Sequence, residues 1–160
     1  MIGIICEKPS ARRNFAKALG GDTGVYKGEE YVIVNLRGHL YKYDEPHKQV
    51  NKELENKYKL WTLDNLPWDY TDFKWKRVKV SDVVPLINSI KKELENCSEI
   101  VIATDYDAVS GEGFLLALEL LEETKLIKKK NLIISRMIFL DETPSTIQEA
   151  FKERTVLEDI

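Results

Sequence analysis

Short apolar runs alternate with amphipathic segments along this chain, and that alternation limits its fold more than any other feature. The runs at residues 2–6 and 99–104 are typical of strands buried on both faces of a sheet. Strands are predicted at 2–6, 31–36, 40–43, 73–80, 99–104 and 131–135, and helices at 9–19, 82–96, 111–123 and from 143 onward. Because strands that alternate with helices pair in parallel, the sequence predicts an α/β fold: a doubly wound, mostly parallel sheet flanked by helices.

Two segments depart from the alternation. Residues 31–43 have the spacing of a hairpin and are expected to form an antiparallel β addition. Residues 44–72 are polar, aromatic and irregular, and Trp61 and Trp68 indicate that they pack through their own side chains. We therefore expect a single domain over residues 1–160 with a long irregular insertion at 44–72.

Charge and hydropathy limit the partners of the chain. The formal net charge is -3, so nucleic acid binding would depend on a local patch, a bound metal or other parts of a larger protein. No apolar run is long enough to span a membrane, and the first residues lack the pattern of a signal peptide. Cys6 and Cys97 lack the spacing of a zinc site. A reduced, cytoplasmic protein without membrane contact is predicted.

Acidic residues follow the predicted strands. Asp105 and Asp107 come directly after the run 99–104, and residues two apart on an extended chain point the same way. Adjacent carboxylates repel unless a cation lies between them, and Mg2+ prefers such oxygen ligands. Glu7 follows the first strand and Glu112 begins a helix, so both can join the pair at a crevice between strand ends. The alternative is that these acids only cap helices. We predict a site for Mg2+, with Mn2+ as an alternative ion.

Five short motifs occur in order: EKPS at 7–10, GHL at 38–40, WTLDNLP at 61–67, ATDYD with GEG between 103 and 113, and Arg136 with FLDETPSTIQEAF at 139–151. Each motif alone is weakly specific. Together, over nearly the whole chain, they resemble the toprim domain of type IA DNA topoisomerases. The resemblance is to bacterial, topoisomerase III-like members, including those carried by plasmids and phages, and it implies the toprim fold.

The resemblance also implies roles for particular residues. The catalytic set would be Glu7, Lys8, Asp105 and Asp107, and the metal ligands would be Glu7, Asp105, Asp107 and Glu112. Lys8 would place a positive charge near the scissile phosphate. In the family, a tyrosine on another domain attacks the DNA backbone, while the metal and the acidic groups assist strand transfer.

Candidate contacts to single-stranded DNA are Lys8, Arg12, His39 and Arg136. For Arg12 a solvated helix face is the alternative that we favour, and for His39 a structural role is equally compatible with the sequence. Basic and aromatic side chains alternate in residues 73–80. This pattern is typical of a strand that faces DNA, or of an edge strand protected by lysines, and we favour the edge strand.

The chain departs from the family pattern at two places. Ala108-Val109-Ser110 replaces an Arg-Glu pair, so metal ligation is expected to depend on fewer carboxylates. None of the seven tyrosines lies in the Tyr-x-x-Arg-Thr context of the nucleophile, although Tyr106 lies beside the acidic pair. We therefore expect a fragment of a longer topoisomerase, inactive alone, whose partners are single-stranded DNA and the domains that carry the tyrosine. The alternatives are a self-contained toprim nuclease or primase-like module, and a degenerate toprim module that only binds DNA or protein.

Overall fold

The computed structural model describes residues 1–37, 40–43, 77–106 and 111–158. The chain divides into two compact units. The first combines Met1–Gly38 with Pro85–Ile160, and the second is His39–Val84. The insertion predicted at 44–72 lies outside the described residues, so the prediction of a single domain with an insertion stays a prediction.

Eight strands and four helices follow one another along the described chain. The strands are β1 Ile2–Cys6, β2 Thr23–Tyr26, β3 Glu29–Asn35, β4 Tyr41–Tyr43, β5 Arg77–Lys79, β6 Glu99–Ala103, β7 Ile133–Arg136 and β8 Thr155–Val156. The helices are α1 Pro9–Leu19, α2 Val84–Leu94, α3 Glu112–Glu123 and α4 Pro144–Lys152. Single 3-10 turns cover Ser81–Val83 and Leu126–Lys128. No helix of the described ranges has both the length and the apolar character needed to cross a membrane.

The first unit contains a six-stranded sheet of order β2-β3-β1-β6-β7-β8. Its four inner strands, β3, β1, β6 and β7, are parallel, and β2 and β8 pair antiparallel at the two edges. Ile4 of β1 lies opposite Ile33 on one side and Val101 on the other. The predicted α/β class, with a mostly parallel sheet flanked by helices, is confirmed.

The core explains the apolar runs of the two central strands, β1 and β6. Ile4 and Val101 belong to a buried cluster that α1 and α4 complete. In that cluster the rings of Phe15 and Phe139 meet edge to face, with centroids 5.3 Å apart. The opposite face is also covered, because a β-carbon added to Gly3 would lie 3.1 Å from the sulfur of Cys97, just after α2. Strands covered on both faces need apolar side chains at every position.

One face of α3 is buried, and its leucines do not all lie on that face, because Leu115 is 59% exposed. The buried residues of α3 are Gly113, Ala117, Leu120 and Leu121. These four share the spacing of one helix face, and Gly113 sets the rotation of that face because it lies against the sheet.

The antiparallel addition is present, but the hairpin predicted at 31–43 is wrong. β3 pairs antiparallel with β2, which the sequence analysis did not predict, and the connection contains Lys27 and Gly28 with φ of 49° and 86°. Positive φ at both central residues suits a two-residue hairpin turn, so the chain reverses before β3. In the second unit β4 pairs antiparallel with β5, with Tyr41 opposite Lys79. Residues 73–76 of the predicted strand at 73–80 lie outside the described residues.

Candidate functional site

The carboxyl ends of β1 and β6 form the candidate site. β1 and β6 are neighbours at the centre of the sheet. The chain continues from β1 to β3 toward one edge of the sheet, and from β6 to β7 toward the other edge. A parallel sheet has its crevice at such a reversal of strand order, beyond the carboxyl ends of the strands. Glu7 directly follows β1, and Thr104 and Asp105 directly follow β6. The topology therefore directs two carboxylates, 98 positions apart in sequence, to one crevice.

A hydrogen bond joins these two residues. The backbone N–H of Asp105 donates to Glu7 Oε2 over 2.8 Å. Burial raises the pKa of the Glu7 carboxyl; the Asp105 hydrogen bond opposes that rise, and the negative charge of Asp105 adds to it. A partly desolvated carboxylate beside a second carboxylate is stabilised by a nearby cation. These oxygen donors therefore suit a hard divalent ion such as Mg2+.

Gly113 provides the space for the Glu7 side chain. A β-carbon at this position would lie 2.8 Å from Cδ of Glu7 and 3.0 Å from Cβ of Thr104, and it would overlap Glu7 Oε1. Gly111, one residue before α3, has the left-handed φ of 58°. The two glycines of the GEG segment thus have different tasks: Gly111 turns the chain into the helix, and Gly113 allows the helix to approach the carboxylate. The GEG segment is recognisable in the sequence, but the role of Gly113 was not predicted from it.

Arg136, at the end of β7, binds the end of the neighbouring strand β6. Its Nη1 donates to the carbonyl oxygen of Ile102 over 3.1 Å, to that of Thr104 over 3.0 Å and to Thr104 Oγ1 over 2.9 Å. The guanidinium also lies over the Phe114 ring, 5.3 Å from its centroid. Burial lowers the pKa of Arg136, while the charges of Glu7 and Asp105 raise it. Its positive charge is therefore within electrostatic reach of both carboxylates.

Lys8 and Arg12 lie at the start of α1. Lys8 is exposed at the N-cap, directly after Glu7. Arg12 binds within the protein: its Nη1 donates to Asn35 Oδ1 over 3.2 Å, and its Nε donates to Asp22 Oδ1 over 3.2 Å. These contacts hold the first turns of α1 to the carboxyl end of β3.

The remaining predicted site residues are not all placed by the structure. Glu112 is exposed at the first position of α3. Asp107 and His39, like the departure at 108–110, lie outside the described residues. Within the described ranges no three acidic, histidine or cysteine side chains gather in a way that would hold a metal ion. In that part of the chain the site is therefore the pair Glu7 and Asp105.

A further carboxylate, Glu142, lies nearby and was not predicted from the sequence. Its Oε2 accepts a hydrogen bond of 2.6 Å from Nδ2 of Asn14 on α1. Burial first, and then the negative charge of Glu142, raise the pKa of the Cys6 thiol at the end of β1. Glu142 thus adds negative potential close to the carboxyl end of β1. Asn14 and Glu142 are 128 positions apart, and neither stands in a pattern that indicates their contact.

The fold agrees with the comparison of this chain with known proteins. The Toprim domain family matches residues 3–137, most of the chain. The chain belongs to the Toprim domain family, as its motifs predicted. It is also similar to the DNA topoisomerase 1 of Alkalihalophilus pseudofirmus, with 30% identity over 167 aligned positions. The alignment covers 96% of this chain and 21% of that relative, so the chain spans about a fifth of its length.

Proposed function

We propose that this chain is the Mg2+-binding toprim domain of a type IA DNA topoisomerase, and that it contributes the acidic half of the site that cleaves and religates one DNA strand. The observation that carries the proposal is the contact between Glu7 and Asp105 at the sheet crevice, with a hydrogen bond of 2.8 Å. The family match and the similarity to a DNA topoisomerase support this function over other uses of two acids.

The residues of this chain would act in distinct ways. Asp105 and Glu7, with Asp107 and Glu112 as the further ligands predicted from sequence, would hold Mg2+, and Mn2+ would be an alternative ion. When bound, the ion would supply positive charge to the scissile phosphate. Lys8 is exposed at the N-terminus of α1, where its charge and the helix dipole both favour a phosphate. Arg12, His39 and Arg136 remain proposed DNA contacts, although Arg12 and Arg136 also bind the protein itself.

The nucleophile is proposed to come from elsewhere. Tyr106 is 53% exposed beside Asp105, but the sequence around it lacks the Tyr-x-x-Arg-Thr context of the family nucleophile. The proposed partners are therefore single-stranded DNA and the topoisomerase domains that carry that tyrosine, and the proposed location is the cytoplasm. We expect the 160-residue chain alone to bind metal without relaxing supercoiled DNA.

A titration with Mn2+, followed by the paramagnetic broadening of amide signals, tests this proposal. We expect the broadening to centre on Glu7 and Asp105 and to disappear in Asp105→Asn. The control Glu30→Gln removes the same charge from an exposed position at the amino end of β3 and should leave Mn2+ binding unchanged.

Three results would contradict the proposal. Broadening that spreads over surface acids and persists in Asp105→Asn would contradict a metal site. Relaxation of supercoiled DNA by this chain alone would contradict the need for a second domain. Metal-dependent nicking by this chain that disappears in Asp105→Asn would instead indicate a self-contained nuclease.

A further inference from the structure

We propose that Arg136 is a positioning residue that orients the peptide group between Thr104 and Asp105, and through it the carboxylate of Glu7. This inference depends on the proposed function, because it assigns Arg136 a task in building the acidic site. It differs from a DNA contact, the role that the motif alone suggested for this arginine.

One peptide group connects the arginine to the glutamate. The carbonyl of Thr104 accepts from Arg136 Nη1 over 3.0 Å, and the N–H of the same peptide, at Asp105, donates to Glu7 Oε2 over 2.8 Å. A peptide group is planar, with its C=O and N–H pointing in opposite directions. Whatever fixes the direction of the carbonyl therefore also fixes the direction of the N–H.

The charges at the two ends of this peptide favour the arrangement. The guanidinium lies at the carbonyl, the negative end of the peptide dipole, and the carboxylate lies at the N–H, its positive end. Hydrogen bonds to ionised partners are stronger than neutral ones, and bonds connected in this way polarise one another. Arg136 and Glu7 thus stabilise the same orientation of the peptide from opposite sides.

Further contacts restrict the arginine and the strand end. Oγ1 of the buried Thr104 side chain accepts a further hydrogen bond from Arg136 Nη1, over 2.9 Å. The carbonyl of Ile102 accepts from Nη1 and also from the backbone N–H of Met137, over 3.1 and 3.2 Å. Phe114 covers the guanidinium from the first turn of α3. A planar donor group suits these acceptors, and an ammonium would match them less well.

The structure contains a matched control at the other end of the same strand. The side chain of Arg154 is 14% exposed, and its Nε donates to Glu99 Oε2, at the first residue of β6, over 2.7 Å. Both arginines therefore bind β6, but only Arg136 binds the end that leads to Asp105. A general loss of stability affects both variants, whereas loss of positioning affects only Arg136.

The experiment compares Arg136→Met, Arg136→Lys and Arg154→Met in the full chain. In metal-free protein, hydrogen exchange of the Asp105 amide is measured relative to the amide of Val101 in the middle of β6, and Mn2+ affinity is then measured by titration. In Arg136→Met we expect the relative exchange of Asp105 to rise about ten-fold, and Mn2+ affinity to fall by about 10- to 100-fold, the range typical of residues that orient metal ligands. Arg136→Lys should lie between Arg136→Met and the wild type.

The control variant Arg154→Met separates a loss of positioning from a general loss of stability. Arg154→Met should unfold at lower denaturant, yet keep both the exchange ratio and the Mn2+ affinity of the wild type. An unchanged ratio in Arg136→Met, or an equal change in Arg154→Met, would overturn the positioning role. Tighter Mn2+ binding by Arg136→Met would also overturn it, since relief of charge repulsion would then outweigh lost geometry. If the wild type binds no Mn2+, the proposed metal site fails, and the exchange ratio alone decides the role of Arg136.

Discussion

Replacing Gly113 by alanine should damage the acidic site more than it damages the fold. The added methyl group would overlap the Glu7 carboxylate and lie 3.0 Å from Cβ of Thr104. The carboxylate is the end of a flexible side chain, so we expect Glu7 to rotate away while the backbone of α3 stays in place. That rotation breaks the hydrogen bond from the Asp105 amide.

Two opposing terms set the size of the effect on stability. Alanine is favoured over glycine in a helix by up to about 1 kcal/mol. Loss of a hydrogen bond to a charged group costs about 1.5–3 kcal/mol. The net loss in the free energy of unfolding should therefore be roughly 0.5–2 kcal/mol. Mn2+ binding should nevertheless weaken strongly, because Glu7 no longer faces the crevice.

A double-mutant cycle with Glu7→Ala tests this reasoning by urea unfolding. Without the carboxylate the main overlap is removed and only the 3.0 Å contact with Cβ of Thr104 remains, so Gly113→Ala should cost clearly less than in the wild type. The coupling between the two positions should be about 1.5–3 kcal/mol. Gly24→Ala is the control, because the atoms nearest to its β-carbon would belong to Tyr31, at an ordinary contact distance of 3.6 Å. An equal cost of Gly113→Ala with and without Glu7 would refute the explanation.

Three further outcomes follow from other contacts. Arg154→Met should lower the free energy of unfolding in urea by about 3 kcal/mol, because Glu99, whose side chain is 16% exposed, loses its ion-pair partner and keeps only the hydrogen bond from Ser135 Oγ. A loss below about 1 kcal/mol, the size expected for an exposed pair, would contradict this. The Cys6 thiol is fully buried and its pKa is raised by burial, so it should resist iodoacetamide at about pH 8, close to the pKa of an exposed thiol, until the chain unfolds. Mass spectrometry can check this. Hydrogen bonds from the hydroxyl and the backbone N–H of Thr143 lower the pKa of the Asp141 carboxyl in the folded protein. The stability that Asp141 adds relative to Asp141→Asn should therefore be complete above about pH 4, near the pKa of an unfolded aspartate. It should disappear as the pH falls through the lower pKa of the folded state. Thermal unfolding of the two proteins at several pH values measures that difference, and a constant difference down to the lowest pH would contradict it.

The positions of Glu7 and Asp105 could be inferred from sequence because each directly follows a short, continuously apolar run. Such runs identify the inner strands, and the alternation with helices makes those strands parallel, so their carboxyl ends meet. The edge strands were not predictable in the same way. β2 has mostly exposed side chains and β8 has only two residues, so neither has an apolar pattern. The antiparallel pairing of β3 with β2 likewise depends on the turn at Lys27 and Gly28, which hydrophobic periodicity does not indicate.

By itself the sequence determined the α/β class and the two acidic strand ends, because buried strands and amphipathic helices leave recognisable apolar patterns along the chain. It also determined the family, because five short motifs occur in order. Only the tertiary structure decided what holds the acids in place. Gly113 makes room for Glu7, and Arg136 binds the Thr104 carbonyl from 32 positions away. Such contacts depend on the direction and distance of single atoms, which arise when separate strands and helices pack, and no local pattern encodes them.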